Sequence, residues 1–208
     1  MRTQRSSPPE ERRSTQGRHV PSGTEAPRPS VHVEPQGLRA TAQHYLKDMV
    51  YGANDGLITT FAVVAGVEGG ALTRRAVLIV GLANLFADGL SMGAGNYLSI
   101  RSQESVRKTL ALPEEEARLG RHAVATFLAF VVAGALPLIP YVAWAWPASA
   151  RLVSATVSTF IALFAIGALR SAVTDESPVV GGLEMLGLGV VVAGVAYYSG
   201  TMVTWLLM

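Results

Sequence analysis

A chain of 208 residues that is 50% hydrophobic and only 15% charged is too apolar for an ordinary soluble domain. Its net charge of +2 does not point to nucleic acid, because Lys and Arg gather in the tail and the connections. The absence of cysteine excludes a disulfide framework and any thiolate metal site.

Residues 1–40 hold six of the eleven prolines, with many Ser, Arg and Glu and no apolar run. That composition reads as a disordered tail. It offers no apolar core of a signal peptide, which leaves targeting to the first membrane helix. Residues 41–208 read as one transmembrane domain. They carry five apolar windows, 49–67, 76–100, 123–146, 152–169 and 185–208, each 18 to 25 residues long. About 20 apolar residues cross the ~30 Å of hydrocarbon in a bilayer. A soluble helical core would instead show a polar stripe every three to four residues, and most of these windows do not. The expected fold is all-α and polytopic, with five transmembrane helices.

Helix 1 must begin near Met49, because a start at Leu57 leaves eleven residues before Glu68. Residues 51–56, YGANDG, then lie at membrane depth. Asn, Asp and Gly are poor helix formers, so this stretch is expected to bend or partly unwind. Thr73, Arg74 and Arg75 make the turn into helix 2. The connection 101–121 mixes five basic residues with Glu104, Glu114, Glu115 and Glu116. Pro137 and Pro140 should kink helix 3 near its end, and Trp144 and Trp146 fit an aromatic belt. Helix 4 ends at Arg170, and residues 174–178 turn the chain into helix 5. Glu68 and Glu184, at helix ends, read as solvated.

Basic residues near the membrane ends number eight on one side (Arg39, Lys47, Arg101, Arg107, Lys108, Arg118, Arg121, Arg170). The other side has three, Arg74, Arg75 and Arg151. This imbalance puts the N-terminus in the cytosol and the C-terminus outside it.

Within the five windows the ionisable residues are Asp55 and Asp88. An Asp at the centre of a membrane helix costs roughly 2.5–3.5 kcal/mol, and no Lys, Arg or His in the windows neutralises either one. A cation or protons must do so. Asn84, Asp88, Met92 and Asn96 recur every four residues, which stacks them on one face of helix 2. By helix rise Asp55 should come level with Met92, with Asp88 a turn beyond and Asn96 a turn nearer the cytosol. Asn54 adds a further amide to the pathway. Carboxylate and amide oxygens beside a thioether favour Fe²⁺ or Mn²⁺ over Na⁺, K⁺ or Mg²⁺. Carboxylates must lose protons to bind metal, a natural basis for exchange. Gly52 with Gly56, and Gly89 with Gly93, give small faces for close helix packing, and a dimer pairing two such sets would complete the ligand shell. Glu104, Glu114, Glu115 and Glu116 are candidates for metal access at the cytosolic mouth, or form a solvated face. His44 and His122, near the same mouth, read as ordinary interfacial histidines.

The stretch YGANDGLITTFAVVAG over residues 51–66, with ADGLSMGAGNYLSIRSQ over 87–103, closely resembles the vacuolar iron transporter family. ATFLAF at 125–130 and ALFAIGALR at 162–170 look like that family's third and fourth helices. The resemblance covers roughly residues 44–207. It implies a five-helix protomer that forms a homodimer in the lipid bilayer and exports Fe²⁺ or Mn²⁺ from the cytosol in exchange for protons. The metal is cargo rather than a resident cofactor. It also implies that Asp55 and Met92 line the pathway. Two departures stand out. The interval between helices 2 and 3 is too short for the Glu-rich metal-binding domain of many members, which makes this the shortened, nodulin-like form. Asn96 stands where many members carry Glu. The compact Ala/Gly/Arg-rich chain suits a bacterial inner membrane.

Two other readings compete. A passive scaffold would use the aspartates only to hold helices together. An intramembrane aspartyl protease would use Asp55 and Asp88 as a dyad, but its Tyr-Asp and Gly-x-Gly-Asp pattern is absent. An enzyme is therefore not expected.

Overall fold

The computed structural model describes residues 29–32, 35–142, 147–171 and 177–207. Trp144, Trp146 and residues 174–176, given roles above, lie outside them. The described chain is helical: α1 (Leu38–Gly69), α2 (Arg74–Thr109), α3 (Leu119–Gly134), a 3₁₀ turn (Leu136–Leu138), α4 (Ile139–Val142), α5 (Ala148–Ser171) and α6 (Pro178–Leu207). Five segments are long and apolar enough to cross a membrane, the third made by α3, the 3₁₀ turn and α4 together. The break comes where Pro137 and Pro140 were expected to put it.

The helices outrun the apolar windows. α1 begins eleven residues before Met49 and α2 continues nine past Ile100. At 1.5 Å per residue α2 is about 54 Å long, well beyond ~30 Å of hydrocarbon. An apolar window finds the part of a helix that needs lipid, while the polar turns beyond it keep their helical hydrogen bonds. The surplus turns of α1 and α2 project at the same end of the bundle, so they build a polar mouth there.

Residues 51–56 do not unwind: α1 is one continuous helix through them. The reason lies in packing. A side chain at Gly52 would meet the backbone of Thr126, and one at Gly56 the backbone of Phe130. These glycines let α3 lie directly against α1, and that contact outweighs their poor helix propensity. Gly89 and Gly93 face the same helix, against Phe130, Val131, Phe127 and Ala123. Both small faces therefore serve α3 within one protomer.

α1 is the hub, with α3, α6, α2 and α5 around it. Phe61, Val64, Val77, Leu85, Phe130, Leu138, Tyr141 and Ala155 form the main core. Leu57, Ile58 and Leu163 form a second one. Outside, Ile79, Phe86, Leu90, Val132, Ile161 and Val191 are exposed, as a hydrocarbon surround requires. At the far end Thr201 and Thr204 donate hydroxyl hydrogen bonds to the carbonyls of Gly69 and Gly70, each at 3.1 Å, and lock α6 to the end of α1. Arg74 donates to the carbonyls of Tyr141 and Val142, closing the third span onto α2. Glu184 is exposed, as a solvated group at a helix end should be, and pairs with Arg170 at 2.9 Å.

Candidate functional site

A polar seam runs between α1 and α2, starting at the mouth. Asn96 donates through Nδ2 to Asp48 Oδ1 at 2.8 Å and to Thr126 Oγ1 at 2.7 Å. Asp48 Oδ2 lies 2.6 Å from His122 Nδ1. Asp48, His122 and Thr126 are all buried. Three helices thus meet at one carboxylate. Asp48 escapes the sequence reading by a single position, because the apolar window opens at Met49. His122 falls inside the third span, so the expectation of no basic group in the spans does not hold.

Asn96 acquires a physical reason here. Its amide donates to Asp48, whereas a Glu at this position would set two carboxylates against each other. The carboxylate comes from α1 instead of α2. Replacing Asp48 with Ala strands His122 Nδ1 and leaves Asn96 Nδ2 only its bond to Thr126, at a cost on the order of 3 kcal/mol. A lowered thermal midpoint in detergent is the expected result, and an unchanged one would mean that Asp48 does not hold the mouth together.

The Asn96–Asp48 bond also fixes the register of the two helices. Asp55 lies seven residues deeper than Asp48, about 10 Å, and Asp88 eight residues deeper than Asn96, about 12 Å. Asp55 is therefore nearer in height to Asp88 than to Met92, which sits about 6 Å deeper than Asn96. This shifts the expected ladder by roughly one turn, because α1 starts earlier than the apolar window implies. The charges of Asp55 and Asp88 act on each other across the seam. Met92 instead lines a cavity of about 380 Å³ with Lys47, Asp48, Tyr51, Gly95, Asn96 and Ser99. The depth order from the mouth is Asp48 with Asn96, then Met92, then Asp55 with Asp88.

That cavity shares Lys47, Asp48, Asn96 and Ser99 with a second one of about 250 Å³. The second is lined also by His44, Glu104, Arg107, Glu115, Glu116 and His122, so adjoining cavities lead from a polar mouth to Met92. Deeper in, Asn54 Oδ1 and Asn84 Nδ2 are buried and make no hydrogen bond within the protomer. Unpaired buried amides cost about 1–3 kcal/mol each unless water or another partner reaches them.

The four glutamates of the connection divide by task. Glu104 Oε1 accepts the backbone N–H groups of Glu115 and Glu116, at 3.0 and 2.9 Å. Glu115 pairs with Arg107 at 2.8 Å. Glu114 exchanges backbone hydrogen bonds with residues 29 and 31. Glu116 alone faces a set of histidines: His32, His44 and His122. Its burial pushes the carboxyl up, but the Arg118 N–H and the charges of His122 and His32 outweigh that and hold it below its ordinary 4.5. Stability from this carboxylate is therefore present above that ordinary value and lost as pH falls through the lowered one.

A five-span helical bundle with a partly buried seam of carboxylates and amides between its first two helices defines a multi-pass membrane protein. Comparison with known proteins agrees. The profile of the VIT family matches residues 46–120 and 106–201, and the chain belongs to that family. It is 30% identical over 169 residues to the vacuolar iron transporter homolog 1 of rice, covering 74% of this chain and 71% of that protein. It is 25% identical over 238 residues to the vacuolar iron transporter 1 of Tulipa gesneriana, covering 86% and 96%. A shorter stretch matches more tightly: 64 residues are 47% identical to the vacuolar iron transporter of Toxoplasma gondii, covering 31% of this chain and 21% of that protein.

Proposed function

We propose that the protein moves divalent iron or manganese out of the cytosol in exchange for protons. The observation that carries this reading is the pair of adjoining cavities that lead from Glu116 and His122, past Asp48 and Asn96, to Met92. At its deep end stand two carboxylates without a basic partner in the sequence around them, Asp55 and Asp88. The relatives named above are called iron transporters, which fits a cargo of that class. The excess of Lys and Arg near the mouth favours its facing the cytosol. Ions would enter past the mouth residues Glu104, Glu114, Glu115 and Glu116, meet the sulfur of Met92, and settle between Asp55 and Asp88 with Asn54 and Asn84 at hand. Oxygen ligands with one thioether suit Fe²⁺ and Mn²⁺. A carboxylate that releases metal can take up a proton in its place, so the two fluxes are coupled in opposite directions.

A second copy supplies what one protomer lacks. Two carboxylates and one sulfur do not fill the shell of a six-coordinate ion, and the unpaired amides of Asn54 and Asn84 await partners. A homodimer around a shared pathway meets both needs. The glycine faces are not its support, since they pack on α3. The Ala/Gly/Arg-rich composition favours a bacterial inner membrane as the setting.

Competition flux into vesicles holding the purified protein tests the reading. Unlabelled Fe²⁺ and Mn²⁺ should each suppress transport of the other, and both fluxes should fall when the pH gradient is collapsed. Equal fluxes with and without the gradient would remove proton exchange from the account, and no flux of either ion would remove transport.

A further inference from the structure

Three of the four histidines in the chain converge on one carboxylate. They come from separate parts of the sequence: His32 before α1, His44 in α1 and His122 in α3. His122 Nε2 is 2.9 Å and His44 Nε2 is 3.3 Å from the same oxygen, Glu116 Oε2. His32 Nδ1 is 3.3 Å from Oε1. One donor atom each from His32, His44 and Glu116 lie within 4.8 Å of one another. The side chains of His32, His122 and Glu116 are 7%, 10% and 13% exposed, so water is largely kept out.

The contacts are at ion-pair distance from Glu116, and two of them lack good hydrogen-bond geometry. His44 Nε2 and His122 Nε2 are buried and make no hydrogen bond, although each is close to Glu116 Oε2. Ligand atoms about 2.1 Å from a first-row cation stand about 3.0 Å apart on an octahedral edge and about 3.4 Å apart on a tetrahedral one. The observed 2.9 and 3.3 Å are short enough for the nitrogens and the carboxylate to share one ion. Asp48 adds a second sign. An Nδ1–H donated to Asp48 at 2.6 Å leaves the Nε2 lone pair of His122 facing the cluster. A carboxylate behind a histidine is the arrangement that orients metal-binding imidazoles.

We propose that His32, His44 and Glu116, with His122 beside them, form a binding site for a first-row divalent cation at the mouth, distinct from Asp55 and Asp88. Imidazole nitrogens with one carboxylate suit Fe²⁺, Co²⁺ and Zn²⁺ and disfavour Ca²⁺ and Mg²⁺. Residues 29–32 are held against the connection between α2 and α3 by two backbone hydrogen bonds, Val31 N–H to Glu114 at 2.8 Å and Glu114 N–H to Pro29 at 3.0 Å. A metal held by His32 adds a third fastening to the same connection. The site stands whether or not Asp55 and Asp88 carry an ion.

Co²⁺ titration of the full-length protein in detergent, with any purification tag removed, tests this. Visible d–d bands from one Co²⁺ per protomer at the cluster are expected. His44→Ala and Glu116→Gln should each weaken binding by about 10- to 100-fold or more, while Asp55→Asn keeps the bands. Unchanged binding in both cluster variants, or loss of the bands in Asp55→Asn alone, would overturn the proposal while leaving the transport reading intact. Pulsed EPR of the Cu²⁺-loaded wild type needs no variant. Imidazole nitrogen couplings are expected, and an oxygen-only spectrum would equally overturn it.

Discussion

Asp55→Asn is expected to cut metal flux by about 100-fold or more while leaving the protein as stable as the wild type, or more so. The two halves follow from one fact: a carboxylate held at membrane depth beside a second carboxylate. Loss of a group that merely orients a ligand costs 10- to 100-fold in affinity or activity, so loss of a liganding charge costs at least the upper end of that range. Without metal, the same charge is a burden of roughly 2.5–3.5 kcal/mol at the helix centre, and a neutral amide of equal size relieves part of it. Flux into vesicles and thermal melting in metal-free detergent read the two halves separately. A scaffold would give the opposite pattern, with a lower melting point and no flux to lose.

Gly56→Val carries the largest expected effect on folding. Its added Cβ falls on the backbone of Phe130, which no rotamer change can move aside. Overpacking a good core costs about 1–3 kcal/mol when side chains can yield, and more when backbone must. α1 and α3 would separate, and with them the Asp48–His122 contact, so little folded protein should survive purification. Gly187→Ala is the matching control: a Cβ there meets nothing within 4 Å, and helix propensity improves by up to about 1 kcal/mol. Size-exclusion profiles of the two variants decide the matter. Equal recovery of both would mean that the glycine face does not set the α1–α3 approach.

The bundle itself was legible because a bilayer imposes one simple demand, a run of apolar residues of fixed length. Five such runs gave five spans, and two prolines gave the break in the third. Features set by packing between helices were harder to read. YGANDG looks unwound by local propensity, yet α3 presses against its glycines and keeps it helical. The same contact removed the reason to assign those glycines to a second copy. Depth was misjudged by about a turn because the apolar window opens after Asp48, and it is Asp48 that sets the register of α1 against α2.

The mouth was the least legible part. His44 and His122 are 78 positions apart and each looks unremarkable alone, while His32 sits in a stretch that composition assigns to a tail. Only the fold brings them to Glu116. The one signal available was that three of four histidines fall within reach of a single end of the bundle. The four glutamates gave a mixed result for a related reason. Sequence groups them by kind, whereas the structure gives Glu104 and Glu115 to the loop and leaves Glu116 for the histidines.

The central claim is that cations cross this protein through the seam marked by Met92 and Asp55. Simultaneous recording of Fe²⁺ and internal pH in sealed vesicles addresses it most directly. Iron moving one way with protons moving the other, and both signals lost together in Asp55→Asn and strongly reduced in Met92→Leu, is the predicted outcome. Wild-type traces from both variants would contradict it.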